Sequence, residues 1–193
     1  MVFSYYHRLS ARTRKIYDRS NRIETLPLAP GMIPHEAVTA LRNALASESR
    51  PAVEASAQAL AQLLTESFGT PPVRVRVLDR RPSSSYGELH GLYEVEHVRA
   101  RPLITLWMRT VQRRQVVAFK TFLRTLLHEV VHHLDYEMLK LEDSLHTEGF
   151  YKRESSLLHQ LIAEDEPRER PTGSQRRRSL RPAGSGPPPA AGK

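Results

Sequence analysis

Residues 126–151, LLHEVVHHLDYEMLKLEDSLHTEGFY, hold four of the nine histidines in the chain. Two of them, His128 and His132, form the pattern His-Glu-x-x-His within a run whose apolar residues recur at helical spacing. Residues four apart on an α-helix lie one turn apart on the same face, so both imidazoles can reach a single ion. Glu129 projects about 100° further around the helix, where it can act on a water as general base. The pattern therefore predicts a long helix that carries a zinc site.

A catalytic zinc ion usually has three protein ligands, so the third must come from another part of the chain. We predict His146, because a loop between two helices can fold it back over the ion. Glu154 is the alternative, since a glutamate on a following helix is a common ligand in enzymes with this pattern. Asp135 shares the helix face but lies too far along the axis for easy tetrahedral closure. His133 points about 100° away from His132, and we expect it to pack against the sheet or to support the site.

Composition restricts the chemistry of this site. The chain of 193 residues has no cysteine, which excludes disulfides, cysteine-ligated zinc and iron–sulfur clusters. No run approaches the roughly 20 apolar residues that a membrane span needs, so we expect a cytoplasmic protein without a membrane contact. The first residues are Arg-rich and acid-poor and do not contain the apolar block of a secretory signal, so we expect no such signal here. We interpret these residues as a helix docked on the domain, with an organellar transit peptide as the alternative.

Charge and composition divide the chain into three segments. Residues 1–28 are a basic, helical N-terminal segment, and residues 29–166 form the folded domain. Residues 167–193 carry seven basic residues and one acidic residue, hence +6 of the formal +8, and are rich in Pro, Gly and Arg. We predict that this tail is disordered. Its arginines, from Arg176 to Arg181, could neutralise phosphates, so the tail predicts either a non-specific nucleic-acid contact or a solubilising extension.

The periodicity of the apolar residues predicts an α+β domain. Helical spacing predicts helices at residues 4–26, 34–47 and 51–69, with Gly69 as the C-terminal cap of the third. Alternation and turn residues then predict a small three-stranded sheet from residues 73–78, 87–96 and 103–110. A long metal-binding helix at residues 116–138 follows, with a buried stripe that runs from Phe119 to Leu134. A final helix at residues 148–162 has Thr147 as its candidate N-cap.

These residues together resemble the zincin metallopeptidases and, within them, the small SprT-like and related minimal domains. The resemblance rests on LLHEVVHHL for the metal helix, on HTEGFYKR for a loop histidine before an aromatic-bearing helix, and on HGLYE in the preceding strands. It covers about residues 70–162. This chain has His146-Thr147 where relatives often have His-Gly, and without cysteine it cannot form the C-terminal zinc ribbon of some of them.

The resemblance implies a zincin-like fold for residues 29–166, Zn²⁺ as cofactor, and His146 as the third ligand. It also implies hydrolysis of a protein or peptide substrate, with Glu129 as general base. In zincins the substrate lies extended along an edge strand above the metal. That relationship nominates LITLWMRT, residues 103–110, as the substrate strand. Tyr151 and Arg153 are candidates for stabilising the oxyanion.

Two other functions fit parts of the sequence. A metal-dependent endoribonuclease could use three histidines and a basic surface, but such a site does not require a glutamate beside the first ligand. A non-catalytic nucleic-acid-binding protein, in which zinc only joins two helices, would account for the basic tail. The simplest interpretation of the motif, two solvent-exposed histidines on an amphipathic helix, treats their arrangement as accidental.

Overall fold

The computed structural model describes residues 2–80, 83–84, 87–88, 90–95, 101–111 and 114–163. The predicted basic tail, residues 167–193, lies outside the described residues, so its disorder and its nucleic-acid contact stay predictions. None of the helices in the described part of the chain combines the length and the apolar composition needed to cross a membrane.

The described residues form an α+β domain in which helices precede and follow a small mixed sheet. A 3₁₀ helix, Ser4–Arg8, precedes five α-helices: α1 (Ala11–Asn21), α2 (His35–Ala46), α3 (Arg50–Ser67), α4 (Phe119–Glu137) and α5 (Glu148–Ile162). The strands are β1 (Arg74–Arg80), β2 (Ser83–Ser84), β3 (Gly87–Glu88), β4 (Gly91–Glu94) and β5 (Leu103–Arg109).

The central sheet has the strand order β1-β5-β4. β1 runs parallel to β5, and β4 runs antiparallel to it, with Tyr93 opposite Ile104. The prediction of one strand at residues 87–96 was wrong, because Gly87–Glu88 pairs with Ser83–Ser84 in a separate two-stranded sheet. The nomination of residues 103–110 as the substrate strand required an edge strand, and that requirement is not met. β5 is hydrogen-bonded on both sides, whereas β4 lies at the edge of the sheet.

The core lies between one face of this sheet and the helices α3 and α4. Alternate residues of β1 and β5 are buried toward the helices, as the period of two in strands requires. The apolar stripe of α4 is confirmed: it is fully buried from Leu123 to Leu134, and Phe119 is half-buried against the core. The side chains that meet in this layer are Val75, Val77, Ile104, Leu106, Met108, Leu60, Leu64, Leu123 and Leu127.

Helix α4 begins three residues later than predicted. Val116 forms an isolated β-bridge with Arg109, and the backbone N–H of Val117 donates to the carbonyl of Met108 at 2.8 Å. These bonds hold residues 116–117 beside the end of β5, so the helix starts at Phe119. Helix α5 has the predicted bounds, and the Thr147 hydroxyl accepts a bond from the N–H of Phe150 at 3.0 Å, which confirms the N-cap.

The N-terminal helix is shorter than predicted. Ser10 takes an extended backbone conformation, and its side chain accepts a hydrogen bond from the N–H of Thr13, so α1 starts after it instead of continuing from the 3₁₀ helix. Downstream of α1, Leu26 and Leu28 are buried in the common core. The side chain of Gln160 in α5 bonds the backbone of both leucines. The N-terminal segment is therefore packed against the last helix.

Candidate metal centre

Three histidines converge where α4 faces the loop of residues 138–147. His128 and His132 lie one turn apart on α4, and His146 lies near the end of the loop. The Nε2 atom of His146 is 3.0 Å from that of His128 and 3.1 Å from that of His132. Within the described part of the chain, this is the one group of His, Asp or Glu side chains close enough to share an ion. The structure thus brings together the three predicted zinc ligands.

Hydrogen bonds on the far side of two rings fix which nitrogen faces the cluster. Nδ1 of His128 lies 2.9 Å from Oε2 of Glu154, and Nδ1 of His132 lies 2.7 Å from Oγ of Ser144. The Ser144 hydroxyl donates to Asp135, so it accepts from His132. Both Nδ1 atoms are therefore the protonated ones, and both Nε2 lone pairs point into the cluster.

Glu154, the alternative third ligand, lies outside the group of converging histidine nitrogens. Its carboxylate lies against Nδ1 of His128, on the opposite side of the imidazole from the converging Nε2 atoms. Asp135 also lies outside the cluster, because its carboxylate accepts bonds from Arg153 and Ser144. Both carboxylates orient histidines: Glu154 acts directly on His128, and Asp135 acts on His132 through Ser144. A carboxylate behind a ligating histidine is a common support of metal sites.

The donor set fits a zinc ion. Zn–N bonds of about 2.0–2.1 Å at tetrahedral angles separate the nitrogens by about 3.3–3.4 Å. The separations of 3.0 and 3.1 Å are close to that value. Burial, together with the charges of His128, His146 and Arg153, lowers the pKa of His132 to about 3. Burial and His128 also lower the pKa of His146. Neutral imidazoles are the form that binds a metal.

Glu129 lies in the same cleft as the three histidines, beneath strand β4. Its side chain is almost fully buried. Burial raises the pKa of Glu129 to about 7, while His128 and the backbone of Tyr93 oppose the rise. A carboxyl group with a pKa near neutrality suits a general base.

Gly91 makes the close approach of β4 to Glu129 possible. A Cβ atom at position 91 would lie 2.9 Å from Cγ of Glu129 and 2.9 Å from Cγ2 of Thr125. Any larger residue would therefore displace the strand or the glutamate. Gly91 belongs to the segment HGLYE, and this close approach is the steric reason for a glycine at that position.

A buried ion pair supports the cluster from behind. Arg153 and Asp135 are both fully buried, and the guanidinium reaches the two carboxylate oxygens at 2.8 and 3.0 Å. Burial raises the pKa of Asp135, but the Arg153 charge and the Ser144 hydroxyl oppose this rise, and we infer that the bidentate pair is charged. Sequence reasoning missed Ser144, since only the fold brings it beside Asp135 and His132.

Tyr151 and Arg153, the two candidates for stabilising the oxyanion, lie in different surroundings. Arg153 also donates to the carbonyls of Ser20 and Ile23, so its guanidinium is committed to the interior and does not face the cleft. Tyr151 lines the cleft, is 42% exposed, and stacks on His146 with ring centroids 5.9 Å apart. Of the two predicted candidates, Tyr151 alone is accessible to a substrate.

His133 is buried, as expected for a residue that points away from the cluster. Its Nε2 is 2.8 Å from the carbonyl of Pro71, and its Nδ1 is 3.1 Å from the hydroxyl of Tyr93. It therefore ties α4 to β4 and to the segment that precedes β1. Burial lowers the pKa of His133, which favours its neutral form.

The cluster opens into a cleft of about 750 Å³. It is lined by residues 90–93, by one side of α4 from Thr121 to Tyr136, and by Ser144, His146, Tyr151 and Glu154. Among the described residues that line the cleft, Arg124 is the one arginine or lysine, and its Nε lies 3.4 Å from Oε1 of Glu154. A substrate can thus reach all three histidines and Glu129 from one side.

No protein-family model matches this sequence, and neither a curated protein nor a solved structure matches it. Functional conclusions therefore rest on the geometry of the described residues.

Proposed function

We propose that this protein is a zinc-dependent metallopeptidase with a zincin-like fold resembling the small SprT-like domains. One observation carries the proposal: three imidazole nitrogens converge beside the buried carboxyl group of Glu129, in a cleft open to substrate. A purely structural zinc site is closed by four protein ligands, whereas a catalytic site keeps one position open. Three histidines and an open cleft favour the catalytic type.

His128, His132 and His146 would hold the zinc ion, which would lower the pKa of a bound water and polarise a substrate carbonyl. Glu129 takes a proton from the attacking water, whose oxygen forms a bond to the carbonyl carbon of the peptide. The carbon–nitrogen bond then breaks, and Glu129 gives the proton to the leaving amine. The carboxyl group suits both steps because burial brings its pKa to about 7. General-base action of this kind is worth about 10²–10⁴-fold in rate.

The substrate strand in this proposal is β4. It forms the edge of the central sheet, and its residues 91–93 line the cleft. No described strand pairs with its outer edge, so an extended peptide can pair there and lie across the histidines. Leu92, which is 36% exposed, offers apolar contact beside this edge. β4 thus takes the role that the sequence resemblance had given to residues 103–110.

Glu129 also separates this proposal from its alternatives. An endoribonuclease with three histidines has no need for a buried carboxyl group next to its first ligand, and a structural site has no need for a general base. The decisive variant is Glu129→Gln, which keeps the size of the side chain and removes its basic oxygen. We expect it to bind zinc like the wild type and to lose peptide hydrolysis.

The assay uses zinc-loaded protein with denatured protein and with a mixture of unstructured peptides, followed by mass spectrometry. Glu137→Gln is the matched control, because it makes the same change two turns further along α4 and outside the cleft. We expect it to cleave normally. Cleavage by Glu129→Gln at the wild-type rate would contradict the proposal, as would zinc-loaded wild type that cuts none of these substrates.

A further inference from the structure

His146 differs from the other two candidate ligands in how it is held. His128 and His132 are fixed by the backbone of α4, but His146 lies in the loop of residues 138–147, outside any helix or strand. A metal site is only as well defined as its least constrained ligand. The position of the loop must therefore be set by contacts from other parts of the chain.

Contacts along this loop come from the N-terminal segment of residues 1–28. Arg19 donates to the carbonyl of Leu139 at 2.6 Å and to that of Lys140 at 3.4 Å. Arg12 forms an ion pair with Glu142 at 2.7 Å. These bonds join parts of the chain that lie 120 positions or more apart in sequence. The first helix thus holds the loop at its beginning and near its middle.

Tyr5 makes the contact nearest to the candidate metal. Its hydroxyl donates to the backbone carbonyl of His146 at 2.7 Å. The Tyr5 ring packs edge-on against Tyr17, at 5.9 Å, and Tyr17 is fully buried. Phe3 stacks on the other side of Tyr5 at 5.9 Å. The phenol is therefore anchored to the core of the domain and can hold the ligand residue in place.

Phe3 and Tyr151 extend this support to the imidazole itself. Tyr151 stacks on the His146 ring with an interplanar angle of 18°. Phe3 meets Tyr151 edge-on, with ring centroids 6.2 Å apart. The N-terminal segment thus acts on His146 twice, through a hydrogen bond to its backbone and through the ring that stacks on its side chain.

We infer that the N-terminal segment positions the third metal ligand, and that Tyr5 is its positioning residue. This inference rests on the proposed zinc site. Its consequence is that the affinity for zinc depends on a hydroxyl group that touches neither the metal nor a ligand side chain. One intramolecular hydrogen bond is worth about 0.5–1.5 kcal/mol, so we expect Tyr5→Phe to weaken zinc binding about 3- to 10-fold.

Tyr6→Phe is the matched control. Tyr6 is the next residue of the same 3₁₀ helix. Its hydroxyl donates to Asp18 at 3.2 Å and not to the loop of residues 138–147. Zinc affinity is measured on the full chain by competition with a chromophoric chelator. Cobalt(II) then replaces zinc, because its visible absorption reports the geometry of the ligands. Tyr5→Phe should weaken zinc binding and change the cobalt spectrum, whereas Tyr6→Phe should match the wild type in both.

Arg19→Gln provides a second, independent variant in case Tyr5→Phe fails to fold. It removes the bonds to the carbonyls of Leu139 and Lys140, and we expect it to weaken zinc binding in the same direction. Wild-type affinity and an unchanged cobalt spectrum in folded Tyr5→Phe would overturn the inference and leave the zinc site standing. A wild-type chain that takes up neither zinc nor cobalt would overturn both.

Discussion

Glu154 lies 2.9 Å from Nδ1 of His128, on the side of the imidazole that faces away from the candidate metal. The sequence predicted His146 as the third zinc ligand and Glu154 as the alternative. Glu154 lies next to a ligand without facing the ion, so both assignments were compatible with its place in the sequence. A glutamate that ligates and a glutamate that orients a ligand can both occur on the helix after the motif. Only the direction of the side chain in the fold distinguishes the two roles.

The two roles predict different effects on zinc binding. His146→Ala removes a nitrogen that faces the ion, so we expect most of the affinity to be lost. Glu154→Gln keeps an oxygen acceptor for Nδ1 of His128 and removes only the charge. Changes behind a ligand typically weaken metal binding by about 10- to 100-fold, and we expect about 10-fold here. Chelator competition on both variants tests this order.

Glu66→Gln, on the exposed side of α3, is the control for a carboxylate that has no contact with the site. We expect wild-type affinity from it. If Glu154→Gln weakened zinc binding more than His146→Ala, the ligand would be the glutamate, and the site would belong to the glutamate-ligated zincins.

Ser144 connects His132 to the buried pair of Asp135 and Arg153. Its hydroxyl accepts from Nδ1 of His132 and donates to Asp135 at 2.8 Å. We expect Ser144→Ala to weaken zinc binding about 10-fold, because it leaves the His132 ring without its acceptor. Ser67→Ala removes a hydroxyl that bonds only the carbonyl of Leu63, and it should have no effect on zinc. Equal zinc affinities in the two variants would show that Ser144 does not orient the ligand.

The features that could be predicted from the sequence are mostly local. The Thr147 cap, the bounds of α5 and the helical spacing of His128 and His132 depend on residues within a few positions of one another. The β-bridge of Val116 with Arg109 shortens α4 from a neighbouring strand, and no pattern within the helix reveals it.

Features of the site that depend on residues far apart in the sequence could not be predicted. Strand order depends on pairing between distant segments, and β4 and β5 could not be distinguished as edge and centre by their patterns of apolar residues. The contact of Tyr5 with His146 spans 141 positions. The bond of Arg153 to Ser20 spans 133. Neither contact has a signature in the spacing of residues along the chain.

Gly91 offers a test of the position of Glu129. A methyl group at this site would meet Glu129 and Thr125 at 2.9 Å, so the strand or the glutamate must move. We expect Gly91→Ala to keep zinc, since the three atoms nearest to the new Cβ belong to Glu129 and Thr125 and not to a histidine. We also expect it to reduce peptide hydrolysis, by up to the roughly 10²–10⁴-fold that a general base contributes. The measurements are metal content and the initial rate of cleavage.

Gly69→Ala is the contrasting variant. Gly69 ends α3 with a φ of +61° and has no atom near a new Cβ. Alanine there strains the backbone and should lower stability by about 1 kcal/mol, without an effect on cleavage. A Gly91→Ala protein that cleaves as fast as Gly69→Ala would show that β4 does not constrain the general base.

The raised pKa of Glu129 predicts that the metal-free protein loses stability against unfolding as the pH rises. The folded pKa of about 7 exceeds the ordinary value of 4.5, so the folded state favours the protonated carboxyl group. The unfolded chain ionises first as the pH rises, and stability is therefore lost between these two values. The difference between the folded and the unfolded pKa of Glu129 corresponds to a loss of about 3 kcal/mol in the free energy of unfolding above pH 7.

Glu129→Gln carries no charge at this position and therefore escapes the loss. With a chelator present, we expect the variant to unfold at the same denaturant concentration as the wild type near pH 4.5, and to be more stable by about 3 kcal/mol near pH 8. Glu137→Gln makes the same change at a partly exposed side chain of the same helix, and the gain of Glu129→Gln is measured against it. A constant difference between Glu129→Gln and the wild type at both pH values would mean that Glu129 ionises as readily in the folded protein as in the unfolded chain.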